Sequence, residues 1–152
     1  MNDTEIIIQA GAIPFRADAH GRLEVLLIRR LHKKKWGIPK GMVDFGQSVA
    51  DAAQAEAVEE AGAFGELSHR SVGAFTYTKA GYRFLVHVYL LRVVESRDKF
   101  PEHRQRERAW FPLEHAVALV RHPEVGDMIR TLPSHIRKGP AGRIAFVRAG
   151  RR

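Results

Sequence analysis

Residues 41–62, GMVDFGQSVADAAQAEAVEEAG, constrain this chain more than any other stretch. Ser48 stands where a helix N-cap is expected, with Asp51 three residues on, and Gly62 supplies a left-handed stop. The spacing therefore predicts a helix from about Val49 to Ala61. Val49, Ala53, Ala57, Val58 and Ala61 give it an apolar surface made mostly of alanine. Side chains that small let a helix lie close against a sheet. Elsewhere on the cylinder, Glu56, Glu59 and Glu60 sit at i, i+3 and i+4, which places three carboxylates on one face. Like charges at that spacing repel each other, so a neutralising partner is required.

The flanking sequence supplies the sheet. IIIQAGAIPFR and RLEVLLIRR read as strands joined by the turn ADAHG. HKKKWGIPKG is a loop rich in turn formers. GELSHRSVGAFTYTK and YRFLVHVYLLRVV read as two longer strands around a turn at Ala80-Gly81, and RERAWFPL as a shorter one. LEHAVALVRH has helical spacing, and PEVGDMIRTL is a short helix candidate. Strands and helices mix without strict βαβ alternation. That pattern predicts an α/β (α+β) fold, a mixed sheet with helices packed on its faces.

The chain has 152 residues, 45% of them apolar, which suits one domain with one core of ordinary size. The expected domain covers residues 1–136. Residues 137–152 carry six of the eight net positive charges and no acid, a basic tail in which GRIAFVRAG alternates as a short strand does. A solvated terminus is the plainer reading for Arg151 and Arg152; attraction to anions is the alternative. The absence of cysteine excludes disulfides and thiolate metal sites. The acidic start, MNDTEIIIQAGAIPF, lacks the features of a signal peptide. Phe84–Val94 contains His87 and Arg92 and is too short to span a bilayer. These features lead to the expectation of a soluble cytoplasmic protein with no membrane partner; they leave the oligomeric state open.

Three carboxylates aimed at one spot form an oxygen-only, negative site suited to Mg²⁺ or Mn²⁺. A solvated acidic helix face is the competing reading. The neighbouring loop tips the balance: Lys33, Lys34, Lys35 and Lys40 precede Gly41 and Gly46. Cations that hold phosphates beside carboxylates that hold metals are what a metal–phosphate substrate needs.

At these residues the segment resembles the signature of the Nudix hydrolase family. Gly41 matches its first glycine, Glu56 the glutamate of Arg-Glu, Glu59 and Glu60 the Glu-Glu pair, and Gly62 the closing glycine. AGAIPFR, LEVLLIRR, WGIPKG and FPEHRQRERAWFPLEHAVALV are similar to the branch that hydrolyses diadenosine polyphosphates and diphosphoinositol polyphosphates. The resemblance implies a mixed sheet sandwiched between helices. It also implies an Mg²⁺- or Mn²⁺-dependent pyrophosphohydrolase acting on a highly phosphorylated small molecule. Its catalytic residues would be Glu56, Glu59 and Glu60, with the carbonyl of Gly41 as a further metal ligand. The water-activating base could lie among Glu56, Glu59, Glu102 and Glu107.

Lys40, Lys35 (or its neighbours Lys33 and Lys34), Arg106 and Arg108 are the phosphate-binding candidates. Arg106 and Arg108 alternate on a strand and so share a face, and arginine forks suit phosphate oxygens. Lys79 and Arg83 flank the hairpin turn, and Trp36 is either a stacking platform or a core anchor.

Two positions depart from the signature: Gln47 replaces its first glutamate and Ala55 its arginine. In the family these groups help order the site by charge pairing. Losing one of such a pair costs about 3–5 kcal/mol; losing both leaves a neutral, packable position but removes a partner for Glu56. A non-catalytic Nudix ligand-binding module is therefore one alternative. Hydrolysis at a triphosphorylated RNA 5′ end, favoured by the basic tail, is the other.

Overall fold

The computed structural model describes residues 5–148. Its two longest strands, β1 (Ile6–Ala17) and β6 (Tyr82–Ser96), run parallel and in contact, from Ile6 opposite Arg83 to Phe15 opposite Arg92. Each is too long for a single partner on its other edge. β1 (Ile6–Ala17) is followed there by β2 (Leu23–Arg30), which pairs with its C-terminal end, and β3 (Lys40–Met42), which pairs nearer its start. The other edge of β6 takes β5 (Gly73–Lys79) and β4 (Ala63–Leu67), and β7 (Arg106–Pro112) extends the sheet beyond β2. All of these edge pairings are antiparallel, so the seven-stranded sheet is mixed.

Helix α1 (Val49–Ala61) covers one face; α2 (Leu113–Leu119) and α3 (Pro123–Arg130) cover the other. Strand alternation sorts the apolar residues between them. Ala10, Ala12, Leu26, Ile28 and Leu91 meet the helix alanines 52, 53, 57 and 61. Ile13, Phe15, Val25, Leu27, Val86, Val88 and Leu90 meet Leu113, Ala116, Val125 and Ile129. With both faces covered, β1 is buried at every residue from Gln9 to Phe15. The expected fold, a mixed sheet between helices, is the one observed.

The local signals behave as their chemistry dictates. The Ser48 hydroxyl accepts the Asp51 N–H at 3.0 Å, and Gly62, at φ 63°, donates to the carbonyls of Ala57 and Val58. Ala80 (φ 52°) and Gly81 (φ 85°) turn β5 into β6.

One expectation needs correction. GELSHRSVGAFTYTK is not one strand: it breaks at Ser68–Val72 into β4 and β5. The Ser68 hydroxyl accepts the Leu90 N–H and donates to the Arg70 carbonyl, so a local side-chain loop replaces the ladder. The boundary drawn after residue 136 falls inside β8 (Ile136–Lys138), which pairs with β9 (Ile144–Phe146). Phe146 from this hairpin packs edge-on to Phe15, ring centroids 5.7 Å apart. Arg151 and Arg152 lie outside the described residues. Among the described residues, no helix is long and apolar enough to cross a membrane.

Candidate active site

The site begins where β3 meets α1. A methyl group at Gly41 would stand 2.3 Å from the carboxyl carbon of Glu56 and 2.4 and 2.6 Å from its oxygens. A side chain at Gly41 would displace the Glu56 carboxylate, which lies directly on the backbone there. One turn on, Glu60 is only 8% exposed. Its Oε1 accepts the Lys40 backbone N–H at 3.2 Å, and its Oε2 accepts from Arg106 Nη2 at 3.2 Å. Arg106 Nε reaches the other way, to Glu102 Oε1 at 2.9 Å. The Glu102 backbone N–H in turn bonds the Glu59 carbonyl at 3.0 Å, tying residues 100–105 to the end of α1.

Charge is crowded here. Burial, the like charges of Glu60 and Glu59, and a hydrogen bond with Glu60 push the Glu56 carboxyl up to about 7. Burial also raises Glu60, while Arg106 and the Lys40 N–H pull it back. The Lys40 ammonium is lowered by burial, with Glu60 opposing the shift.

The expected carboxylate trio is not assembled as such. Glu56 and Glu60 are adjacent, but Glu59 is exposed, and among the described residues no three acidic or imidazole groups stand close enough to hold a metal ion. The donor chemistry nevertheless fits a hard divalent ion: two carboxylates in contact, one held raised to about 7 by burial and then by the charge of the other, beside a glycine backbone with no side chain in the way.

Beyond Glu60 a cavity of about 710 Å³ opens between the end of β2, the loop to β3, and β5. Nine lysines and arginines line it: Arg29, Arg30, Lys33, Lys34, Lys35, Lys40, Lys79, Arg106 and Arg121. Glu60 is its single carboxylate. Of the phosphate-binding candidates, Lys40, Lys35 and Arg106 are therefore present. Lys79 joins them, whereas Arg83 does not line the cavity.

Arg108 also lies elsewhere. Its Nη1 donates to the Ala61 carbonyl at 2.7 Å and to Ser96 Oγ at 3.2 Å, and its Nη2 pairs with Asp98 at 2.9 Å. It satisfies the carbonyls at the C-terminus of α1, which lack helical partners. Glu107 pairs with Arg29, at 2.6 Å, rather than with its sequence neighbours.

Trp36 takes the second of the two roles considered for it, that of a core anchor. It packs edge-on to Phe111 (4.9 Å) and against the core, yet lines the cavity beneath the Arg29 guanidinium. Arg121 and His122 went unrecognised in the sequence. They follow α2, and the His122 ring lies 4.8 Å from Phe75, its imidazole held below the usual range by burial and by Lys40 and Arg121. The signal that could have found them is a basic pair directly before Pro123, at a helix junction.

The NUDIX domain model matches residues 7–133, most of the chain. The chain belongs to the Nudix family. Among curated Nudix relatives, the chloroplastic Nudix hydrolase 21 of Arabidopsis thaliana is 34% identical over 72% of this chain. The chain spans 57% of the length of that relative. The mitochondrial Nudix hydrolase 16 of the same plant is 32% identical over 79% of this chain and 76% of its own. Among solved Nudix structures, a Caenorhabditis elegans Ap4A hydrolase in a binary complex superposes with a TM-score of 0.71 at 25% identity, covering 84% of this chain and 96% of that one. Gly41, Glu56, Glu59, Glu60 and Gly62 all lie within the matched residues.

Proposed function

We propose that this Nudix domain is a divalent-cation-dependent pyrophosphohydrolase that cleaves a diphosphate linkage in a highly phosphorylated small molecule. Diadenosine polyphosphates and inositol pyrophosphates are the substrate classes that suit it. The observation that carries the reading is the cavity with nine cationic side chains ending on Glu60, beside which Glu56 lies. Such a lining is electrostatically suited to several phosphates at once and to little else. The likeness to the Ap4A hydrolase supports the nucleotide version.

Water attacks a phosphorus, and the bridging P–O bond breaks. Lys33–Lys35, Lys40, Lys79 and Arg121 would hold the non-reacting phosphates and keep the linkage in place, which accounts for much of the acceleration in such reactions. Glu56 and Glu60, with the Gly41 carbonyl, would hold Mg²⁺ or Mn²⁺. The ion, when bound, supplies charge neutralisation at the phosphate oxygens. Glu102 is occupied by Arg106 and Glu107 by Arg29, so Glu56 and Glu59 remain as acceptors for the proton of the attacking water.

A screen of dinucleoside polyphosphates, nucleoside diphosphate-linked compounds, inositol pyrophosphates and triphosphorylated RNA with Mg²⁺ and Mn²⁺ tests this reading. Glu60→Gln serves as the comparison. The variant should lose about 100-fold or more in turnover. Equal background phosphate release from both proteins would end the enzyme reading in favour of a binding module.

A further inference from the structure

We propose that Arg106 is a positioning residue: reaching across from β7, it supplies the counter-charge for Glu60 and locks Glu60 and Glu102 into one unit beside Glu56. This assignment rests on the hydrolase reading above and gives Arg106 a different role from phosphate binding.

Glu60 is a buried carboxylate on a helix with no basic residue in its last turn, and Ala55 faces solvent without a charge. A carboxylate so placed needs a counter-ion. The group that provides it lies 46 positions along the chain. The Arg106 side chain is only 14% exposed and spends two of its guanidinium nitrogens on separate acids, Nη2 on Glu60 and Nε on Glu102. The remaining Glu60 oxygen accepts the Lys40 N–H. Donors from two strands thus hold both oxygens of Glu60, so the carboxylate cannot rotate. Loss of Arg106 would leave Glu60, Glu102 and Glu56 repelling one another across the same small space.

The balance of charge argues against Arg106 as a phosphate ligand. One guanidinium shared by two carboxylates has no net attraction to offer an anion, and eight other lysines and arginines line the cavity. A lysine could keep the charge but could not span both acids, because it lacks the planar fork.

The test compares native protein with Arg106→Lys, which preserves net charge, and with Arg106→Met. Two quantities are measured: kcat and KM with Mg²⁺ on the best substrate of the screen, and Mn²⁺ affinity titrated without substrate. Arg106→Lys should lower kcat about tenfold, leave KM within about threefold, and weaken Mn²⁺ binding about tenfold. Arg106→Met should lower kcat further.

A rise in KM of about tenfold with kcat unchanged would assign Arg106 to substrate phosphate and overturn the proposal. Native values of kcat and Mn²⁺ affinity in Arg106→Lys would overturn it as well. If the native chain turns over nothing in the screen, the hydrolase reading falls. The Mn²⁺ titration then still decides whether Arg106 orders the carboxylates, since Arg106→Lys changes geometry and not charge.

Discussion

Glu56 shows how much a single side chain is shaped by its neighbours. Its carboxyl lies where a Cβ on Gly41 would be, within hydrogen-bonding reach of Glu60, and its proton affinity rises from 4.5 to about 7. A raised carboxyl binds its proton more tightly in the folded chain than in the unfolded one, so its contribution to stability is complete at low pH. That contribution is lost as pH climbs through the window from 4.5 to about 7. In the presence of a chelator, the thermal midpoint should therefore fall across that window, and Glu56→Gln should flatten the decline. On the proposed reading, Mg²⁺ would replace the proton as the neutralising charge. Its stabilising effect, read by the same melts, should be larger at about pH 8 than at about pH 6.

At the level of elements, α1 and the C-terminal hairpin solve opposite problems. α1 presents alanines to the sheet, and the close approach they permit brings Glu56 against β3 and Glu60 within reach of β7. The β8–β9 hairpin instead brings bulk: Ile144 and Phe146 pack against the cluster that holds Phe15, Ile129 and Leu132. Phe146→Ala should cost about 2 kcal/mol from the apolar area it covers. Urea unfolding should show this as a lower midpoint at unchanged slope. Turnover at low temperature should stay native, because Phe146 is not among the residues lining the basic cavity.

Across the whole molecule, two concentrations of positive charge differ in their setting. One lines the cavity; the other, Arg137, Lys138, Arg143 and Arg148, stands exposed on and around the C-terminal hairpin. A small polyphosphate held in the cavity would respond to the first group only, whereas RNA would engage the second as well. Raising salt from about 50 to about 500 mM should increase KM steeply and leave kcat little changed, because screening weakens encounter and holding of the anion. Neutralising the four hairpin cations should leave KM for a dinucleoside or inositol polyphosphate unaltered. A large rise, with activity confined to triphosphorylated RNA, would shift the assignment to RNA ends.

Features whose partners lie within a few residues could be read directly from the chain. The Ser48 cap and Gly62 stop, the alanine surface of α1 and the Ala80-Gly81 turn all follow from helix and strand geometry, which repeats over three or four positions. Alternating apolar runs likewise implied a mixed sheet covered by helices. Other features depended on which strands become neighbours. Arg106 meets Glu60 while Arg108, two residues later on the same face, closes a helix end. Arg121 and His122 reach the cavity from beyond α2, and one expected strand is split at Ser68–Val72. Periodicity shows which residues share a face but not what that face meets, because register and crossing order are set by burial of the whole core. The sequence by itself therefore determined the elements and the acidic helix; only the tertiary structure decided which distant cations neutralise it.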